Sequence, residues 1–206
     1  MNKNHIVKKV MEIRSYTEEA SPKIDGRTIQ GYGSVFGKQS RILYDVEKKQ
    51  FFIEVIEKGA ITDELIRSCD IKALMEHNKQ RLLARSNMGA GSLVLSVDDY
   101  GLAYKFESPN TQDGNDAIEM IKRGDLFGSS FAFWTDEKKN ISYERKDGVL
   151  FRTVHKIDKL FDIAIVSDPA YFGTDITVRT LTGFETVNED YINQINKLRK
   201  LISIVR

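Results

Sequence analysis

A hydroxyl, an imidazole and a carboxylate can together break an acyl bond. The imidazole takes the hydroxyl's proton, and the carboxylate fixes the imidazole's tautomer. The chain offers a candidate for each. The hydroxyl lies in Gly124-Asp125-Leu126-Phe127-Gly128-Ser129-Ser130-Phe131-Ala132-Phe133, which reads as a strand. Alternation puts Phe127, Ser129, Phe131 and Phe133 on one side, and Leu126, Gly128, Ser130 and Ala132 on the other. The phenylalanine side calls for a core. The opposite side is small and polar, so another backbone could approach it, and a serine held there is a candidate nucleophile.

Three histidines could serve as its base. His5 sits in a basic leader and is a poor candidate. His77 follows the apolar run Ile71-Lys72-Ala73-Leu74-Met75, where a core can anchor it while its ring meets solvent. The bland reading is a strand-end histidine satisfied by water or backbone. His155, in Thr153-Val154-His155-Lys156, also ends a strand. The carboxylate candidate is Asp162, within Leu160-Phe161-Asp162-Ile163-Ala164-Ile165-Val166. An aspartate amid apolar residues is costly unless its charge is compensated. An imidazole that becomes cationic during catalysis would do this, and so would an ordinary Arg or Lys. Alternation sets Phe161, Ile163 and Ile165 on one face and Leu160, Asp162, Ala164 and Val166 on the other.

The elements that must position these residues are mostly short strands. Val10–Tyr16, Arg27–Phe36, Arg41–Val46, Phe51–Ile56, Ile71–Met75 and the short Leu82–Arg85 read as strands. The glycines Gly31, Gly33 and Gly37 suggest that the second is bent or bulged. Leu93–Val97 and Leu102–Phe106 form a hairpin across Asp98-Asp99-Tyr100-Gly101. Ile141–Tyr143 and Val149–Thr153 form another across Asp147-Gly148. Helices are expected from Thr62 to Ser68, with Thr62 as N-cap, and from Asp113 to Arg123, stopped by Gly124. Tyr191, Ile195, Leu198, Leu201, Ile202 and Val205 mark an amphipathic terminal helix. The pattern predicts an α+β, mainly β domain: a curled antiparallel sheet or closed β-barrel with a few flanking helices. Residues 1–9 form a leader, 10–182 the domain and 183–206 a helical tail.

Composition excludes several functions. At 206 residues with 41% hydrophobic content, one core suffices. A net charge of +1, from 31 basic and 30 acidic residues mixed along the chain, offers no field for nucleic acid or an anionic membrane. No stretch is apolar enough to span a bilayer, and no secretory leader is visible, so a cytoplasm is expected. Cys69, the single cysteine, reads as a structural thiol. No spacing suggests a metal site or a phosphate-binding loop, so neither metal nor cofactor is expected.

With these residues in view, the chain resembles the prohead maturation serine proteases of tailed bacteriophages, distant fold relatives of the herpesvirus assemblins. The resemblance runs from about Gly31 to Thr174 through an ordered series. It comprises Gly31-Tyr32-Gly33-Ser34-Val35-Phe36-Gly37, Glu54-Val55-Ile56-Glu57-Lys58-Gly59-Ala60, Ala73-Leu74-Met75-Glu76-His77-Asn78, Leu83-Ala84-Arg85-Ser86, the hairpin from Ser92, the serine block from Arg123, and the closing strand with Pro169-Ala170-Tyr171. The resemblance implies Ser130 as nucleophile, directly before the F-x-F element, and His77 as general base. Asp162 stands where the family usually carries an acid, commonly glutamate; His155 is the rival, since assemblins use a second histidine. The implied activity is cleavage of scaffold, of a scaffolding segment of the major capsid protein, and of the enzyme itself. The implied setting is the assembling prohead in the host cytoplasm, with loss from the mature virion and a possible homodimer. A protease-like assembly factor that binds scaffold without cutting is the alternative.

Overall fold

The computed structural model describes residues 11–16, 20–45, 48–146 and 148–167. The leader, His5 and the tail helix lie outside these. The described strands are β1 (Glu12–Tyr16), β2 (Lys23–Asp25), β3 (Thr28–Val35), β4 (Gln39–Asp45), β5 (Gln50–Ile56), β6 (Asp70–Met75), β7 (Asn78–Asn87), β8 (Ala90–Gly91), β9 (Leu93–Val97), β10 (Gly101–Glu107), β11 (Gly128–Trp134), β12 (Ile141–Lys146), β13 (Val149–Val154) and β14 (Lys159–Val166). Three helices join them: α1 (Asp63–Ser68), α2 (Gln112–Arg123) and the single turn α3 (Glu137–Asn140).

The strands form three sheets, in the orders β1-β11-β14-β6-β7-β8, β2-β3-β10-β9 and β12-β13-β5-β4. The expected mainly β class holds and the curled-sheet form is correct, but the sheets do not close into a barrel. Nor are they wholly antiparallel: β14 runs parallel to β6, and β13 to β5. Each parallel pair joins strands far apart in sequence, which hairpin signals cannot reveal.

Local chemistry explains the element ends. The Thr62 hydroxyl caps α1 by accepting from the Leu65 amide at 3.2 Å. Gly124 ends α2 in the left-handed region, at φ 81°, with its N–H bonded to the Ile121 carbonyl. In β3 the register slips opposite Leu102 and Ala103, leaving Gly33 as the bulged residue. A Cβ at Gly33 would run into the Ile163 side chain, so the glycine lets β3 cross close over β14.

The core lies on one face of the six-stranded sheet, around Phe131, Phe133, Leu160, Ile163, Ile165, Ile71 and Met75. Phe131 and Phe133 stack at 5.0 Å between ring centres. Two sequence expectations need correction here. Phe127 precedes β11 and is 36% exposed, while Leu126 enters the core. Leu160 also belongs to the core, because Ala132 pairs with Asp162 and Phe133 with Leu160. Phe161 is the extra residue of that bulge, and it reverses the alternation on its N-terminal side.

A buried ionic cluster fastens the edge strand β1. Glu54 of β5 accepts from the guanidinium groups of Arg14 in β1 and Arg152 in β13. Glu12 accepts from Arg14 at 2.7 Å and from Arg152 at 2.7 and 2.8 Å. Glu54, Arg152 and Arg14 are all buried. Burial alone would push the Glu54 carboxyl up, but the attraction of Arg14 and Arg152 outweighs it and holds the group below the usual range. Such a group stabilises the fold above the ordinary carboxylate range, and the contribution fades as pH falls through the lowered value. Glu54→Gln should therefore cost about 3–5 kcal/mol at neutral pH, because it leaves two buried guanidinium groups sharing the single carboxylate of Glu12. Urea unfolding across pH should show the wild type's advantage over this variant shrinking in acid.

Candidate functional site

The β6–β7 hairpin builds the site. Met75 pairs with Asn78, so Glu76 and His77 are the two turn residues, and both are left-handed, at φ 52° and 55°. Two positive φ angles suit the twist of a two-residue hairpin, but side chains other than glycine or asparagine adopt them at a cost. The turn is held from outside. The Glu76 N–H donates to the Ile165 carbonyl at 3.0 Å, and its carboxylate accepts from the Ser167 amide at 2.6 Å. Both partners belong to the end of β14 or the residue after it, so the turn is pinned beside the strand that carries Asp162.

His77 consequently lies over the face opposite the core. Its Nδ1 is 2.6 Å from Asp162 Oδ1, and its Nε2 is 2.6 Å from Ser130 Oγ. The sheet register sets these neighbours. Ser130 of β11 pairs with Ala164 of β14, which pairs with Leu74 of β6; one row along, Ala132 pairs with Asp162, which pairs with Lys72. Leu74, Ala164 and Val166 form a small buried apolar patch, separate from the main core, beside the three polar groups. The His77 side chain is 9% exposed, that of Asp162 5%, and Ser130 has no exposed surface. Lys72, the nearest basic residue in the register, turns instead to Asp70 at 3.1 Å. Among the described residues, the side chain that bonds to buried Asp162 is therefore the imidazole rather than a Lys or Arg.

With Asp162 ionised, its oxygen requires a proton on Nδ1, which leaves Nε2 free to accept from a hydroxyl. That arrangement can take a proton from Ser130 and hold it beside a compensating carboxylate.

The other candidates fall elsewhere. Ser129 faces the core, where its hydroxyl donates to the Ala20 carbonyl at 2.8 Å and lies 2.8 Å from the Tyr104 hydroxyl. Burial pushes the Tyr104 phenol well above its usual range, so it remains a protonated donor. His155 does not join Asp162 or Ser130. Its Nε2 is 2.7 Å from Ser142 Oγ, and its Nδ1 is 2.6 Å from Glu57 Oε2. This second serine–histidine–carboxylate row is open to solvent, with side-chain exposures of 42% for His155 and 53% for Glu57. Cys69 is buried in the core. Among the described residues no group of acidic, histidine or cysteine side chains could hold a metal ion.

Sequence reasoning missed one polar residue here. Ser15 of β1 pairs with Ser130 across the sheet, and its hydroxyl donates to Ser130 Oγ at 2.8 Å. Its only sequence signal was a small polar residue within the edge strand. The pairing also changes how a peptide could approach. β1 and β14 occupy both edges of β11, so an extended segment cannot simply add beside Ser130.

Residues 13–189 match the family described as Caudovirus prohead serine protease. No curated protein matches the chain. Among solved structures, the bacteriophage T4 capsid assembly protease, gp21, is similar at 12% identity, over 79% of this chain and 99% of that one, with a TM-score of 0.44.

Bond lengths do not separate the two rows, but burial does. Replacing the exposed pair, as Ser142→Ala or His155→Ala, should leave any hydrolytic activity within about twofold. Asp162→Asn should lower the turnover number by about a thousandfold or more, because the amide can favour the wrong tautomer. Rates of peptide or fluorophosphonate acylation on the purified chain would compare the variants.

Proposed function

The chain belongs to the caudovirus prohead serine proteases, and on that premise we propose that Ser130 is its nucleophile, His77 the general base and Asp162 the carboxylate that orients the base. The observation that carries this reading is the single imidazole within 2.6 Å of both a serine hydroxyl and a buried carboxylate.

The chemistry follows from the protons. His77 Nε2 takes the Ser130 proton as the Oγ lone pair attacks the peptide carbonyl carbon. The carbonyl π pair moves onto its oxygen. Collapse of the tetrahedral species expels the amine, which leaves with the proton from Nε2, and the acyl group stays on Ser130. Water, deprotonated by the same nitrogen, then attacks the ester, and Ser130 recovers the proton. Asp162 stays ionised throughout and stabilises the imidazolium formed in each half. The negative oxygen needs donors, as all such reactions do.

The family supports a capsid maturation protease acting within the assembling prohead. The substrates we propose are scaffold protein, or a scaffolding segment of the major capsid protein, and the enzyme's own chain. We further propose that the enzyme is lost from the mature virion. The closed state of Ser130 means that a peptide must be admitted before attack. It is also the observation that favours the second reading, a protease-like factor that binds scaffold but never cuts.

Co-expression with the cognate capsid protein separates the two. Mass spectrometry of capsid-protein N-termini should show new ends only when this chain is present. Ser130→Ala should reduce their yield by about a thousandfold or more, whereas Ser129→Ala, on the core side, should still cut in whatever fraction folds. Unaltered processing by Ser130→Ala would remove it as nucleophile, and unprocessed ends with the wild type would favour the non-cutting factor.

A further inference from the structure

Ser130 Oγ carries one hydrogen and two lone pairs. It has three polar neighbours: His77 Nε2 at 2.6 Å, the Arg14 carbonyl oxygen at 2.8 Å and Ser15 Oγ at 2.8 Å. Two of these compete for its single proton. When His77 is neutral, with its proton on Nδ1 facing Asp162, Nε2 can accept. When the ring is cationic, Nε2 carries a proton and donates to Oγ, and the Ser130 proton turns to the Arg14 carbonyl. The Ser15 hydroxyl can donate to Oγ in both states.

Resting on the reading of Ser130 as nucleophile, we propose that Ser15 is a further catalytic residue, whose hydroxyl holds Ser130 Oγ and stabilises the charge that gathers there as His77 removes its proton. A donor on that oxygen binds best when the oxygen is most negative. This occurs near the transition state of attack, and again when Oγ leaves during deacylation. It binds less well once Oγ is an ester oxygen, so the interaction favours the transition state over its neighbours. The Ser15 proton stays on Ser15 throughout.

The fold places this hydroxyl with little freedom. Ser15 is 1% exposed and stands opposite Ser130 in the β1–β11 register. The next residue back, Arg14, points to the opposite face, where its guanidinium lies 5.6 Å from the centre of the Phe133 ring and bonds to Glu54 and Glu12. The buried ionic cluster therefore fixes the register of β1, and that register delivers both the Ser15 hydroxyl and the Arg14 carbonyl to the nucleophile. A slip of one residue would turn Ser15 to the core and remove it from the site.

A fluorophosphonate probe tests this on the full chain without a known substrate. Ser130 Oγ bonds to phosphorus, the phosphorus–fluorine bond breaks, fluoride leaves, and the Ser130 proton passes to His77. The limiting labelling rate and the half-saturating probe concentration should be measured by intact mass. Ser15→Ala should slow the limiting rate by about tenfold, leave half-saturation within about twofold, and keep the wild-type pH profile. Ser15→Thr, which restores the hydroxyl, should recover most of the rate. If the alanine variant does not fold, the isosteric pair Ser15→Thr and Ser15→Val carries the test: threonine faster than valine supports the role, and equal rates overturn it. A wild-type rate for Ser15→Ala also overturns it. Ser130→Ala run alongside distinguishes the two failures. If that variant labels as fast as wild type, or the wild type takes no label, the nucleophile reading fails and the role of Ser15 falls with it. If Ser130→Ala is silent and Ser15→Ala is unimpaired, only the role of Ser15 fails.

Discussion

A carboxyl group buried among apolar strands is the constraint around which this site is organised. Asp162 sits in β14 between Phe161 and Ile163, 4% exposed, where an unpaired carboxylate would be expelled or protonated. The His77 ring offers it a hydrogen-bond partner at Nδ1, and the backbone accommodates that need. Two consecutive left-handed residues turn the chain back at Glu76 and His77, and Glu76 is tied by its own amide and carboxylate to the end of β14. The unfavourable turn geometry and the buried carboxylate are thus linked: the turn lets the ring reach the aspartate, and the ring gives that carboxylate a hydrogen-bond partner 2.6 Å away. Strain of this kind belongs where positioning matters more than stability.

A second layer acts through the edge strand. The Glu12–Arg14–Glu54–Arg152 cluster joins three strands from two sheets and lies on the core side of β1, away from the hydroxyls. A buried ionic cluster adds little net stability over an apolar replacement, but its geometry is demanding. Here that demand sets the register of β1 against β11, and with it the identity of the groups around Ser130. The contrast with Ser142, His155 and Glu57 is instructive. That row has the same atom types at similar distances, but its imidazole and carboxylate are open to water, where charges are screened and long side chains are not held. What distinguishes the His77 row is its dry surroundings, supplied by Leu74, Ala164 and Val166 and by paired strands on both sides of β11.

Much of this could be read from the sequence, for identifiable reasons. An aspartate inside an apolar run signals a cost that needs a partner, a histidine just after another apolar run is anchored where it could supply one, and Asp162 and His77 meet in the fold. Ser130 was separable from Ser129 because a period of two puts adjacent serines on opposite faces. The caps at Thr62 and Gly124 follow local rules that the fold obeys. The misreadings share a different cause. Leu160 was placed beside Asp162 because a bulge at Phe161 leaves no mark in the alternation. Phe127 was counted as core although the strand begins one residue later. The open sheets and the parallel pairs β6–β14 and β5–β13 depend on partners some hundred residues apart, beyond the reach of turn chemistry. β7 was expected to span only Leu82–Arg85, yet pairing with β6 extends it through the polar residues Asn78 to Arg81 and on to Asn87. Ser15 escaped notice because a lone serine in an edge strand carries no signal until its cross-strand neighbour is known.

The most direct test of the central claim is the protonation of the His77 ring in the resting protein. Nitrogen-15 NMR of histidine-labelled chain, at a pH where the ring is neutral, reports which nitrogen carries the hydrogen. A buried carboxylate 2.6 Å from Nδ1 predicts a protonated Nδ1 and a bare Nε2, with the preference weakened in Asp162→Asn. A neutral ring protonated on Nε2, unchanged by that substitution, would contradict the role given to Asp162.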